Sequence, residues 1–149
     1  MDLLNIIKIS RLIVMNHNDS IRKVASRYNL SFCETDTLNI LSNNKDIFNA
    51  KDIVSISKSS KAYVSKALNL LEEKKYISVK TDELDKRKQK ILINKRAHKI
   101  IKELNENEEI YLNNILKNIK EKDINKFIEI QKEIANNILK ESVDNEKNI

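Results

Sequence analysis

The residues of this chain best suited to chemistry fall into two short runs. Ser60, Lys61, Tyr63, Ser65 and Lys66 bring hydroxyls, ammonium groups and an aromatic ring close together, and Asp85, Lys86, Arg87 and Lys88 set one acid among three cations. Groups of this kind donate hydrogen bonds to phosphates and base edges, which is recognition rather than bond making. Catalytic readings find little to stand on. His17 and His98 are far apart and have no cysteine or carboxylate cluster at ligand spacing, so no metal site is expected. The chain has no glycine at all, which excludes a Gly-rich phosphate loop. No Ser-His-Asp set can be assembled, and Glu72 and Glu73 read as solvated helix surface. No enzyme and no cofactor are expected.

The single cysteine, Cys33, cannot form an intramolecular disulfide. It falls in the first turn of an expected helix, a setting in which thiols are often reactive, so a redox sensor is one reading. The competing reading is a small apolar side chain that serves packing.

The charge distribution places the recognition residues in a positive field. Residues 50–99 carry 14 basic and 6 acidic side chains, against 6 and 5 before them and 8 and 11 after them. A middle third of this sign suits a segment lying along phosphates. No apolar run approaches the about 20 residues that cross a membrane. The Met1-Asp2-Leu3-Leu4 start lacks the features of an export signal, so a cytoplasmic protein without a membrane partner is expected.

The elements that must position these groups follow from periodicity and capping. An apolar helical face runs through Leu4, Ile7 and Leu12, is interrupted by Asn16–Ser20, and resumes over Ile21–Tyr28. Ser31 and Glu34 have capping-box spacing and open a helix that ends near Asn43. Asn49 precedes a short helix over Ala50–Ile56, and Ser60 is placed to cap the next. In that helix, Lys61 to about Lys74, Val64, Ala67, Leu68 and Leu71 define a buried face. Ala62, Ser65, Lys66 and Asn69 fall opposite, and Lys61 and Tyr63 lie on the flanks. Its outer face is small, polar and cationic, as entry into a major groove requires.

The period then changes from helical to alternating. Ile77, Val79 and Thr81, followed by Ile91–Ile93, make two strands of a hairpin whose tip is Asp85–Lys88. A cationic hairpin after such a helix is a wing able to put arginine into a minor groove. From Asn94 two long amphipathic helices are expected. Asp123 is read as the cap of the second, and the tail from about Glu141 as frayed. Their apolar area, with that of the first helix, exceeds what one small head can cover, so a homodimer is expected.

This order of elements resembles the MarR (multiple antibiotic resistance regulator) family of winged helix-turn-helix transcription factors over nearly the whole chain. The resemblance is carried by Asp85-Lys86-Arg87, Lys88-Gln89-Lys90, Ile91-Leu92-Ile93 and Asn94, and by Val64 to Lys74 as a recognition helix. It implies a mainly α fold with a small β-hairpin wing. A single 1–149 domain is implied, with dimerisation helices at about 1–28 and 98–141 and the reader at about 31–96. It further implies Arg87 as the minor-groove residue and Asp85 as the acid that orients it. Family members often respond to small aromatic effectors, though no residue here identifies one. The sequence departs from the family pattern at Lys75 and Ala97, where glycines are usual. A left-handed Lys75 costs roughly 1 kcal/mol.

The expected function is that of a sequence-specific regulator, most simply a repressor, binding double-stranded DNA at a pseudo-palindromic operator. The alternative is a dimeric helical module whose basic head binds an acidic protein.

Overall fold

The computed structural model describes residues 3–44, 49–81 and 89–146. The chain divides into two compact units, Met1–Tyr111 and Leu112–Ile149. The first contains α1 (Leu3–Arg27), α2 (Phe32–Asn43), α3 (Ala50–Ser57), α4 (Lys61–Glu73), strands β1 (Ile77–Thr81) and β2 (Gln89–Ile93), and a 3-10 turn (Lys95–Ala97). It also holds most of α5 (His98–Ile115). The second contains α6 (Glu121–Glu146). This is the mainly α, winged helix-turn-helix architecture that the sequence pattern implies. Among the described residues, no helix is long and apolar enough to cross a membrane.

Capping chemistry sets the helix starts. Ser31 and Glu34 close a reciprocal capping box on α2, and Asn49 and Asp52 do the same on α3. Ser60 accepts from the Tyr63 amide at the start of α4. With no glycine available, the left-handed turn positions fall to Asn29, Lys58, Lys75 and Asn118. The end of α4 is a complete Schellman turn. Tyr76 donates its amide to the Leu71 carbonyl and Lys75 to that of Glu72, both at 2.9 Å. Lys75 thus takes the conformation that glycine would adopt without strain (φ 62°).

One core joins every element of the first unit. Ile21 and Val24 of α1, Leu38 of α2, Ile53 of α3, Val64, Leu68 and Leu71 of α4, Ile77 and Ile91 of the hairpin, and Ile100 and Leu104 of α5 are all buried together. Each such aliphatic contributes about 1.5–3 kcal/mol from burial. The strands pair antiparallel with Ile77 opposite Ile93 and Val79 opposite Ile91. Asn94 closes the hairpin base, with its amide bonded to the Tyr76 carbonyl and its side chain to Lys75 O and Ser78 Oγ.

The polar stretch Asn16–Ser20 interrupts the apolar face of α1 while the helix runs on through it, as the sequence pattern allows, and the stretch bonds α1 to α5. His17 Nε2 lies 2.8 and 2.9 Å from the two Glu108 oxygens, Asn107 donates to Ser20 Oγ, and Tyr111 donates to the Ile13 carbonyl. Asp123 lies within the first turn of α6 rather than capping it, because its amide bonds the Lys120 carbonyl. The helix also continues past Glu141, to Glu146.

Candidate nucleic-acid interface

The site is built on α4, whose two faces differ sharply. Val64, Ala67, Leu68 and Leu71 are buried in the core, while Lys61, Ala62, Ser65, Lys66 and Asn69 are exposed. Ser60 is exposed as well and its hydroxyl is held by the cap. None of the side chains of Lys61, Ser65, Lys66 and Asn69 makes a hydrogen bond or ion pair among the described residues. The outward face of α4 is therefore uncommitted.

The N-terminus of α4 is electrostatically different from those of the helices that support it. α2 and α3 each carry an acid in the first turn, Glu34 and Asp52, which offsets the positive end of the helix dipole. α4 has no acid there; its third position is Tyr63, and Lys61 adds a positive charge at its first. Free amides and a lysine at an exposed helix start form a favourable setting for a phosphate.

Tyr63 is placed inward rather than with the exposed set. It is half-buried against the core, on the side of α4 that faces the Asp36 carboxylate of α2. Burial and the nearby Asp36 charge push Tyr63 up to about 12, so it remains a neutral donor. Burial likewise raises Asp36, against the opposing effects of Tyr63 and His17. Packing of Tyr63 and Val64 against the core fixes the first turn of α4. The other end of α4 is fixed by an ion pair that periodicity does not reveal. Lys74 Nζ lies 2.7 Å from Glu34 Oε1 and donates to the Asn29 carbonyl at 3.0 Å. Burial alone would raise the Glu34 carboxyl, but Lys74 and the Ser31 donors outweigh it and hold it below the usual range. Glu34 Oε2 is fully occupied by the Ser31 amide and hydroxyl. α4 is thus held at both ends.

The hairpin brings further cations beside the helix. Lys80 and Lys90 are direct cross-strand partners and both are exposed. Arg96, just after β2, stacks over the Tyr76 ring at 5.3 Å. The tip residues Asp85, Lys86, Arg87 and Lys88 lie outside the described residues. Cys33 is half-buried at the start of α2, with Sγ 3.1 Å from Ser31 Oγ. Among the described residues no group of His, Cys, Asp and Glu is arranged to hold a metal.

Sequence reasoning found the outward face of α4 from its period. It missed the Lys74–Glu34 pair and the inward packing of Tyr63, for which residue spacing gives no signal.

Residues 28–88 match a model of the MarR family. No curated protein gives a significant match to the chain. Among solved structures, a MarR/EmrR family transcriptional regulator from Acinetobacter sp. ADP1 is 22% identical. It superposes with a TM-score of 0.78 over 92% of this chain and 96% of that one. A MarR family regulator from Listeria monocytogenes, solved with a 26mer DNA, is also 22% identical with a TM-score of 0.78, over 93% of this chain and 89% of that one. The S. aureus MepR–DNA complex is 16% identical with a TM-score of 0.75, over 87% of this chain and 96% of that one. Residues 28–88 of this chain are thus similar to the MarR family, and the fold is the one that the family's solved transcriptional regulators share.

Proposed function

We propose that this chain is a DNA-binding transcriptional regulator that acts as a homodimer and carries out no chemistry. The observation that carries the reading is the outward face of α4. It is held at both ends, exposed, without a side-chain partner among the described residues, and positively polarised at its N-terminus. Such a helix suits a major groove, with Lys61 and the free amides on phosphate and Ser65 and Lys66 toward base edges. The DNA complexes solved for the Listeria and S. aureus relatives support the same assignment. Lys80, Lys90 and the wing-tip set Asp85, Lys86, Arg87 and Lys88 would follow the flanking backbone and minor groove, with Arg87 inserted and Asp85 orienting it.

The homodimer is supported by the apolar residues that each unit leaves exposed. In the first unit these include Leu4, Ile7, Ile9 and Leu12 of α1; in the second, Phe127, Ile134, Ile138 and Leu139 of α6. A two-fold dimer covers such faces and sets two copies of α4 about one DNA turn apart. Occupation of a promoter by the dimer makes repression the simplest outcome.

The test is selection of bound duplexes from a random library at about 150 mM salt, where binding through charge alone is suppressed. A two-fold symmetric motif is expected, and Arg87→Ala should relax its flanking A·T preference. Recovery of no motif from a folded dimer would overturn the reading in favour of a basic head that binds an acidic protein.

A further inference from the structure

Asparagine is used in the reader head for internal bonding. Asn39 donates to Glu108, Asn43 to the Asn39 side chain and carbonyl, and Asn44 to the Ile40 carbonyl. Asn49 caps α3, and Asn94 closes the hairpin base. Asn29 supplies a left-handed turn, a conformation asparagine tolerates better than most residues. Asn69 does none of these things. It sits in the middle of α4, exposed, and makes no side-chain hydrogen bond among the described residues. Asparagine is a poor helix former at an interior position, because its amide competes with the backbone. Among the described residues nothing compensates for it there.

The chemistry of its neighbours narrows what it faces. From Ala62 through Ser65 and Lys66 to Asn69, the exposed row runs about 10 Å along the helix at 1.5 Å per residue. That length matches about three base steps of 3.4 Å. No arginine occurs between Lys61 and Glu73, so the fork that most often reads guanine is missing from this helix. Asn69 supplies both a donor and an acceptor on a short, stiff stem. Adenine presents the complementary acceptor and donor, N7 and the N6 amino group, in the major groove.

Resting on the reading of α4 as the DNA-contacting helix, we infer that Asn69 is a specificity-determining residue that reads an adenine by a paired hydrogen bond. Its carboxamide oxygen accepts from the adenine N6 amino group, and its nitrogen donates to N7. The contact lies about three base pairs along the groove from the base pair under Ala62.

The experiment is duplex selection with the full-length protein and with Asn69→Ala, followed by affinity measurements on the selected duplex. Asn69→Ala removes an exposed side chain and improves helix propensity, so the variant folds. The wild-type motif should contain one strongly preferred A·T pair in each half-site at which Asn69→Ala shows no preference. The variant should bind the selected duplex about tenfold more weakly. Replacing that adenine by 7-deazaadenine should weaken the wild type and leave Asn69→Ala unchanged. A wild-type motif that Asn69→Ala reproduces, position for position and with equal affinity, overturns the adenine contact while leaving the DNA-reader assignment standing. Equal loss of affinity in both proteins on the deaza duplex also overturns it. Absence of any wild-type motif overturns both.

Discussion

The two halves of α1 are built from the same kinds of residue and lie in opposite surroundings. Ile21, Val24 and Ala25 are sealed into the core of the first unit; Ile21 is 1% exposed. Leu4, Ile7, Ile9 and Leu12 are open to solvent; Leu12 is 65% exposed. The sealed half packs on α2 through a core that the hairpin and α5 complete. The open half carries apolar residues around most of its circumference, a pattern found in helices enclosed by neighbours. The difference teaches that the core of the first unit closes within that unit, whereas the N-terminal half of α1 leaves an apolar face open, the face that the proposed dimer would cover. α6, taken by itself, shows the same excess, with Phe127, Ile128, Ile134 and Ile138 exposed.

The strongest way to break that comparison is to make matched substitutions in the two halves. Ile21→Ala leaves a cavity in a fully packed site and should lower stability by about 3 kcal/mol in urea unfolding. Leu12→Glu should leave the head folded by circular dichroism yet shift sedimentation from dimer to monomer. Should Leu12→Glu remain a dimer of unchanged affinity, the open half of α1 is not the dimer face. Should Ile21→Ala prove neutral, the sealed half is not part of the core.

A smaller effect tests whether the head is complete in its polar bonding as well. Glu34 is buried, and its charge is balanced by Lys74. Lys74→Ala leaves that carboxylate without its cation and should cost about 2 kcal/mol, somewhat less than a fully buried pair because Lys74 is partly exposed. The pH dependence has a definite sign. Glu34 has a folded-state pKa below its ordinary value of 4.5, so its contribution is present above that value and is lost as pH falls through the lower, folded one. Thermal unfolding of wild type and Glu34→Gln should therefore differ most near neutral pH and converge in acid. A gap that stays constant into acid would show that Glu34 acts through shape rather than charge.

What the sequence revealed, and what it concealed, follows from range. The Ser31–Glu34 capping box, the buried face of α4 and the alternation of β1 and β2 each depend on residues a few positions apart, and all three stand as read. The interruption at Asn16–Ser20 was legible as polarity but not as purpose, because the partners of His17 and Ser20 lie on α5, at Glu108 and Asn107. Tyr63 was placed correctly on a flank of α4, yet nothing local indicated that its ring would pack inward against the core. The α6 start was misjudged at Asp123 because an acid suits the first turn as well as the cap. Outward groups such as Asn69 were visible by period; that they make no side-chain bond among the described residues is knowable only from the folded chain.

The finest distinction lies within the head, at a turn that is fully bonded and still strained. Lys75 ends α4 in the left-handed region with both Schellman bonds made, and its carbonyl accepts from Asn94. Its side chain is exposed, so the cost lies in the backbone alone. Lys75→Gly removes the clash between Cβ and the carbonyl but loosens the unfolded chain, so the net gain should be about 0.5–1 kcal/mol. Asn29→Gly, at the matching turn after α1, should gain less, because asparagine already tolerates that conformation. Glu73→Gly, two residues earlier in right-handed helix, should lose about 1 kcal/mol. Thermal midpoints of the three variants order these effects. If Lys75→Gly fell with Glu73→Gly, the lysine side chain would be supplying a stabilising contact larger than the strain. The turn would then owe its stability to that contact, and the missing glycine would cost the head nothing.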